Sequence, residues 1–267
     1  MRVGLSSILL YHHTNDQILR ILRAYHINHI DVFCDAPYLP TLELSSISRV
    51  IKFAQDHNMS IGFKAPSFTD NLVSINPNVR SLSLRRILRL IKIASIVNAK
   101  YIVIRAGMIF YSEKMFPNIT KENFKKAFST IMEYAETYRV PILLENYPYV
   151  IDLFRNISHF TRLFSDFIES NYIGIAFNVS HLLSMSENFS NVSIELDSKV
   201  LQFIRLLYIG CLPSPWDYPK QCPIEHIVSL LEKTLMNVIP EYLVIGSTKT
   251  ETLELFLANM KARGILT

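Results

Sequence analysis

"SLSLRRILRLIKIASIVNAKYIVIRAG", residues 81–107, runs a helical pattern into a strand with only a few residues between them. Leu84, Leu88, Ile91 and Ser95 recur at three- and four-residue spacing, which puts them on one face of an amphipathic helix. "YIVIR" (101–105) is short, rich in β-branched residues and closed by Ala106-Gly107, the signature of a buried strand. A helix feeding directly into such a strand is half of a crossover unit, and its strand needs parallel neighbours.

The same unit recurs along the chain. The strands read as "RVGLSS" (2–7), "HIDVF" (29–33), "SIGFK" (60–64), "YIVIR", "PILLEN" (141–146), "IGIAFN" (173–178), "LLYIG" (206–210) and "YLVIG" (242–246). Helical segments lie between them, among them "NDQILRILRAYH" behind a capping Thr14 or Asn15, "SSISRVIKFAQDH", "KENFKKAFSTIMEYAETY", "SHFTRLFSDFIES", "PIEHIVSLLEKTLMNV" and "KTETLELFLANMKA". The sixth unit is irregular, with a polar stretch "SENFSNVSIELDS" read as a loop and broken helix. No Pro/Ser/Gly-rich linker divides the 267 residues. Eight strands in one undivided chain predict a single (β/α)8 TIM barrel over residues 1–267, with a doubly wound open sheet as the alternative.

Composition narrows the function classes. Hydrophobic residues make up 49% and charged ones 19% of the chain, which excludes a disordered or fibrous protein. The net charge of +4 permits an anionic ligand without requiring nucleic acid. Cys34, Cys211 and Cys222 form no paired motif, which argues against a disulfide framework and for a reducing, cytoplasmic setting. No stretch has the length and apolarity of a membrane span, and the first residues lack a cleavage pattern.

In a barrel of this kind the reactive groups sit at the C-terminal strand ends. Those ends carry Lys64, Arg105, Glu145, Asn178 and His181, with Tyr208 to Cys211 on the seventh. Two permanent cations, a carboxylate and a histidine emerging from apolar strands must be paired, so Lys64 or Arg105 is expected to meet Glu145. An ion-pair network closing the barrel and a ligand site both satisfy that demand.

The order "HIDVF", "FKAPSFTDNLVS", "NAKYIVIRAG", "ILLENYP", "GIAFNVSH" resembles the xylose isomerase-like barrels, which include sugar isomerases, epimerases and the endonuclease IV type of abasic-site nucleases. The likeness covers about residues 1 to 250 and is weakest after 210. It implies a metal-dependent site, and several of the family's metal-binding positions are altered. The third strand's His-Ala-Pro is Lys64-Ala65-Pro66, and the fourth strand's His-Pro-Gly is Arg105-Ala106-Gly107. Glu145-Asn146 is kept, the sixth strand's Asp-x-x-His is Asn178-Val179-Ser180-His181, the seventh falls on Tyr208 and Cys211, and the last glutamate falls on Ile245 or Gly246.

A catalytic zinc normally takes three protein ligands, and only Glu145 and His181 match. At an effective dielectric near 20, a like charge at about 4 Å costs about 4 kcal/mol, so Lys64 and Arg105 would oppose a dication. Lys64 therefore reads as a replacement for the metal's charge, or as a snorkelling side chain. The expectations are no metal or other cofactor, with Glu145, Lys64 and His181 as the catalytic candidates. Arg105, Asn146, Asn178 and Trp216 are the ligand-binding candidates, Trp216 in the lid-like stretch "LPSPWDYPKQCP" (212–223). The ligand is expected to be a small anion or polyol of the sugar or sugar-phosphate type, and isomerase or epimerase chemistry stays open. The alternatives are an endonuclease IV-like DNA-binding protein and a non-catalytic pseudoenzyme with a protein partner or a second copy of itself. Lesser candidates are His12-His13 beside the first strand, Cys211 as a thiolate, and the basic face Arg85, Arg89, Lys92 as a phosphate contact.

Overall fold

The computed structural model describes residues 1–35, 44–67, 69–147, 154, 159–183, 198–211 and 223–266, with the backbone alone at 44–46, 182, 183 and 211. Eight parallel strands close into a barrel in sequence order: β1 (Arg2–Ser6), β2 (His29–Phe33), β3 (Ser60–Lys64), β4 (Ile102–Ile104), β5 (Ile142–Glu145), β6 (Ile173–Asn178), β7 (Ile204–Cys211) and β8 (Tyr242–Ser247). Closure is direct, with Arg2 opposite Tyr242 and Leu5 opposite Ile245, which removes the open-sheet alternative. Strand β7 begins two residues earlier than the apolar run indicates, because the ladder to β6 starts at Ile175 opposite Ile204 and shifts register before Ala176.

The helices among the described residues are α1 (Leu9–His12), α2 (Asn15–Ala24), α3 (Leu44–Asp56), α4 (Pro77–Ile96), α5 (Tyr111–Met115), α6 (Pro117–Tyr138), α7 (Phe160–Leu163), α8 (Ser180–Leu183), α9 (Ser198–Leu201), α10 (Ile224–Leu235) and α11 (Thr250–Ala262). Thr14 caps α2 through a reciprocal bond pair with Gln17, the arrangement that satisfies two orphan donors of the first turn. None of these helices is long and apolar enough to cross a membrane.

Two local expectations change. The stripe that α4 buries is Ser83, Ile87, Leu90, Ile91 and Ala94, about one residue round from the expected face; Leu84 and Leu88 sit at its margin. Arg85, Arg89 and Lys92 are exposed on its outer side. "SHFTRLFSDFIES" forms only α7 followed by turns, in which Phe167 N–H reaches Phe164 O and Ser170 N–H reaches Phe167 O. Such three-residue winding eclipses side chains three apart. Phe164 and Phe167 thereby both meet the Phe128 ring, at 5.1 and 5.0 Å between centroids, and aromatic packing overrides the helical pattern.

Alternation along each strand divides the apolar residues in two. One set faces the helices and forms the large core. The other fills the barrel: Tyr101, Val103, Leu143, Ala176, Leu206, Tyr208, Tyr242 and Val244. Toward the strand N-termini the filling is aromatic. His29, Tyr101 and Tyr242 stand with ring centroids 4.7 to 5.5 Å apart, and two inward-facing glycines leave them room. A Cβ at Gly62 would lie 2.3 Å from Tyr101 Cζ, and one at Gly4 would lie 2.5 Å from His29 Cδ2.

His29 is fully buried yet completely bonded. Ser60 Oγ donates to Asn28 O, so it accepts from His29 Nδ1–H, and His29 Nε2 accepts from the Tyr101 hydroxyl at 2.7 Å. Burial, with the Arg2 charge in support, lowers its pKa to about 3, and the ring is neutral at physiological pH. Gly62→Ala is expected to lower stability by about 2–3 kcal/mol, the range of core overpacking. Urea unfolding checks this, and an unchanged midpoint would show that Tyr101 can move aside.

Candidate active site at the barrel mouth

Lys64 is the last residue of β3 and only 7% exposed. Its ammonium donates to Glu145 Oε1 on β5 at 2.6 Å and lies 4.4 Å from the centroid of the Tyr208 ring. Of the two expected cations, Lys64 is the one that bridges to Glu145. Arg105 instead donates to Ser67 O at 2.7 Å and stacks on Tyr147 at 3.5 Å. Ser67 is itself held by Asp35, whose carboxylate accepts from the Ser67 N–H at 2.6 Å and from its hydroxyl. The guanidinium is thus anchored from β2's end and from the loop after β3.

Glu145 Oε1 also accepts from Asn178 Nδ2 at 2.9 Å. The second hydrogen of that amide goes to His181 Nε2 at 3.2 Å, while His181 Nδ1–H donates to Asn146 O at 2.8 Å. The bond to a backbone carbonyl puts the proton on Nδ1 and leaves the Nε2 lone pair facing Asn178. Asn146 reaches the site only through these neighbours: its Oδ1 accepts from Asn178 N–H and its Nδ2 donates to Asn178 O.

Burial alone would raise the Glu145 carboxyl, but the Lys64 charge and the bonds from Lys64 and Asn178 outweigh it and hold it below the ordinary range. Burial pushes His181 down to about 4, with the Lys64 and Arg105 cations acting the same way and Glu145 against them. At neutral pH Glu145 is therefore a carboxylate and His181 an uncharged imidazole, beside the Lys64 and Arg105 cations.

Sequence reasoning missed two acidic groups, Asp35 and Asp31. Asp31, central in β2, is fully buried and its Oδ2 accepts from the Tyr208 hydroxyl. Burial raises its pKa to about 6, although the Tyr208 bond and the Lys64 charge pull it down. The signal was present in "HIDVF", where His29 and Asp31 occupy alternate, inward-facing positions of an otherwise apolar strand. Tyr208, which stands where the family resemblance called for a histidine, serves this aspartate.

A pocket of about 40 Å³ opens between these groups, with Ser6, Asp31, Lys64, Asn178, His181 and Tyr208 among its walls. That is space for a few water-sized groups. Asp31 Oδ1, Asn178 Oδ1 and Glu145 Oε2 are buried acceptors without a hydrogen-bond partner among the described residues, and the first two residues line the pocket. Among the described residues no three His, Cys, Asp or Glu side chains are grouped to hold a metal ion. Trp216 and the Cys211 side chain lie outside the described residues. His13 Nε2 bonds to Thr248 O at 3.1 Å, and His12 is exposed.

The profile of the xylose isomerase-like TIM barrels matches residues 19–209. An uncharacterised protein of Methanocaldococcus jannaschii is 25% identical over 189 residues, which cover 68% of this chain and 61% of that protein; the chain spans less than two thirds of that relative's length. Among solved structures, a D-tagatose 3-epimerase-like protein superposes with a TM-score of 0.72 at 17% identity, covering 99% of both chains. The D-psicose 3-epimerase of Clostridium cellulolyticum gives 0.67 at 13% identity over 100% of this chain and 99% of that one. The 3-keto-D-glucoside 4-epimerase of E. coli gives 0.67 at 11% over 99% of each. At such identities the structural likeness is one of fold.

Asp31 sets a stability dependence with a definite sign. Its acid form is favoured in the fold, so its stabilising contribution is complete below the ordinary value of 3.8 and is lost as pH rises through about 6. Asp31→Asn keeps an acceptor for Tyr208 and removes the buried charge. The variant is expected to be more stable than the parent by about 2 kcal/mol at pH 8, the gain vanishing toward pH 4. Urea melts across that range check it, and a gain independent of pH would contradict the assignment.

Proposed function

From a chain that belongs to the xylose isomerase-like TIM barrel family, we propose a protein that binds a small sugar or sugar phosphate at the C-terminal mouth of its barrel. The chemistry open to it there is isomerase- or epimerase-like and uses lysine in place of a metal. The observation that carries this reading is the Lys64 ammonium held 2.6 Å from Glu145 beside a pocket with two acceptors, Asp31 Oδ1 and Asn178 Oδ1, that have no partner among the described residues. Buried acceptors call for donors, and the hydroxyls of a polyol are donors of the right size.

The donor set does not suit a divalent cation. Glu145 Oε1 is taken by Lys64 and Asn178, and the one imidazole lone pair faces an amide N–H. Any cation entering here would meet the Lys64 charge. That charge does part of what a Lewis acid does, since an ammonium beside a carbonyl oxygen stabilises the oxyanion that forms when a neighbouring proton is removed. Glu145, kept ionised by Lys64, is the group with a free oxygen to take that proton. Structural neighbours named as a D-psicose 3-epimerase and a 3-keto-D-glucoside 4-epimerase support the same class of ligand here.

Charge sets a preference among ligands. Lys64 and Arg105 share the mouth with three acidic side chains, Glu145, Asp31 and Asp35, and the mouth gains one positive charge as Asp31 protonates. A neutral polyol is therefore favoured at pH 7.5, and an anion of fixed charge such as sulfate binds better near pH 5. Calorimetry with D-tagatose, ribose phosphate, glucose phosphate and sulfate is the test, on the parent, Lys64→Arg and Lys64→Met. Lys64→Met is expected to weaken binding by about tenfold or more, with Lys64→Arg between. Equal binding by all three proteins would leave Lys64 a structural role only.

The metal-free reading has its own measurement. Elemental analysis of gently purified protein is expected to find well under one equivalent of zinc or manganese, and no abasic-site nicking when either is added. One equivalent of metal, lost in Glu145→Ala, would overturn it.

A further inference from the structure

We propose that Lys64 is a covalent catalyst, forming an imine with the carbonyl carbon of an aldose or ketose. This rests on the sugar-binding reading for its substrate class but adds a bond that reading does not require. Imine formation needs a buried lysine at the edge of a pocket, an adjacent base to take its proton, and a second acid to expel water. The barrel mouth supplies all three. Lys64 lines the pocket, Glu145 Oε1 stands 2.6 Å from its nitrogen, and Asp31 lines the same pocket with Oδ1 unpartnered. The nitrogen is confined between Glu145 and the face of Tyr208, whose hydroxyl is bonded to Asp31. A structural ion pair needs one carboxylate; this lysine has two within its surroundings and a cavity beside it.

The steps balance without any outside reagent. The ammonium gives one proton to Glu145, and the amine attacks the carbonyl carbon, forming the C–N bond as the π pair moves to oxygen. That oxygen takes the proton from Glu145, and the nitrogen loses one to Asp31. Asp31 returns its proton to the hydroxyl, which leaves as water while the nitrogen lone pair closes the C=N bond. The resulting iminium carries the positive charge of the original ammonium and withdraws electrons from the neighbouring carbon. Loss of a proton there to Glu145 gives an enamine, reprotonation of the same carbon at its other face gives the epimeric iminium, and water, adding by the reverse of the steps above, breaks the C–N bond to release the epimer and restore the Lys64 ammonium. The covalent nitrogen would perform the polarising task for which, among the described residues, no group of three metal-ligating side chains is present.

The test is reductive trapping on the full-length protein. Dihydroxyacetone and D-tagatose are each incubated with the protein and sodium cyanoborohydride, followed by intact mass measurement and peptide mapping. Lys64 is expected to be labelled about tenfold faster than any surface lysine, with Asp31→Asn slowing the labelling. Lys64→Arg, which keeps the cation and lacks the nucleophile, is expected to show only the surface background, with its thermal melt confirming a folded chain. Calorimetric binding of D-tagatose without labelling of Lys64 overturns the imine and leaves the sugar-binding reading standing. Labelling of Lys64 by dihydroxyacetone when no sugar or sugar phosphate binds supports the imine and overturns the sugar reading. Neither binding nor labelling overturns both.

Discussion

Two opposite charges buried together at the top of a barrel constrain everything around them. The Lys64–Glu145 pair is nearly excluded from solvent, and the cost of removing two ions from water is several kcal/mol each. Such a pair persists only with close geometry and further hydrogen bonds, and the surroundings supply both. Asn178 adds a bond to the same carboxylate oxygen, His181 holds Asn178, and Asn146 fixes the backbone of Asn178 from below. Strands β3, β5 and β6 are thereby locked at their C-terminal ends by one polar network. Loss of either charge would leave the other buried and unpaired, at about 3–5 kcal/mol.

That network can form only because the layer beneath it is well packed. Tyr101 and Tyr242 fill the lower barrel against Gly62 and Gly4, and His29 is neutral with both nitrogens bonded. A rigid lower layer holds β2 so that Asp31 lies level with Tyr208, and Tyr208 in turn gives Lys64 an aromatic face to rest on. The order of dependence runs from glycine placement to ring packing to the position of one carboxylate. Function sits on the last step, and stability on the first two.

The barrel was legible because each strand is short, apolar and followed by a helical period, a pattern that closure rules turn into one topology. The strand-end residues were legible for a related reason: Lys64, Arg105, Glu145, Asn178 and His181 are polar groups ending apolar runs. Asp31 was legible too, as a polar residue alternating with His29 in an apolar strand of a closed barrel, but it lies inside the strand and not at its end, where reactive groups are expected. The choice of Lys64 over Arg105 as the partner of Glu145 was beyond sequence, since it depends on Ser67 and Tyr147 lying where they hold the guanidinium. The shortened α7 reflects contacts of Phe164 and Phe167 to Phe128, 36 and 39 residues earlier in the chain, which no local window contains.

A shared barrel says little about the reaction at its mouth, because strand ends and loops change while the layers below stay packed. The substitutions here are of a kind that must change together. On the reading proposed above, a lysine at such a strand end would repel a cation bound beside it. Glu145 then needs a new positive partner, and Lys64 provides it at hydrogen-bonding distance. Asp31 adds a second acidic group beside Lys64, while Arg105 is held by Ser67 O, which Asp35 in turn anchors. On the reading proposed above, paired charges of this kind would discriminate by where hydroxyls and carbonyls fall, which suits a sugar better than nucleic acid, whose affinity depends on many unopposed cations.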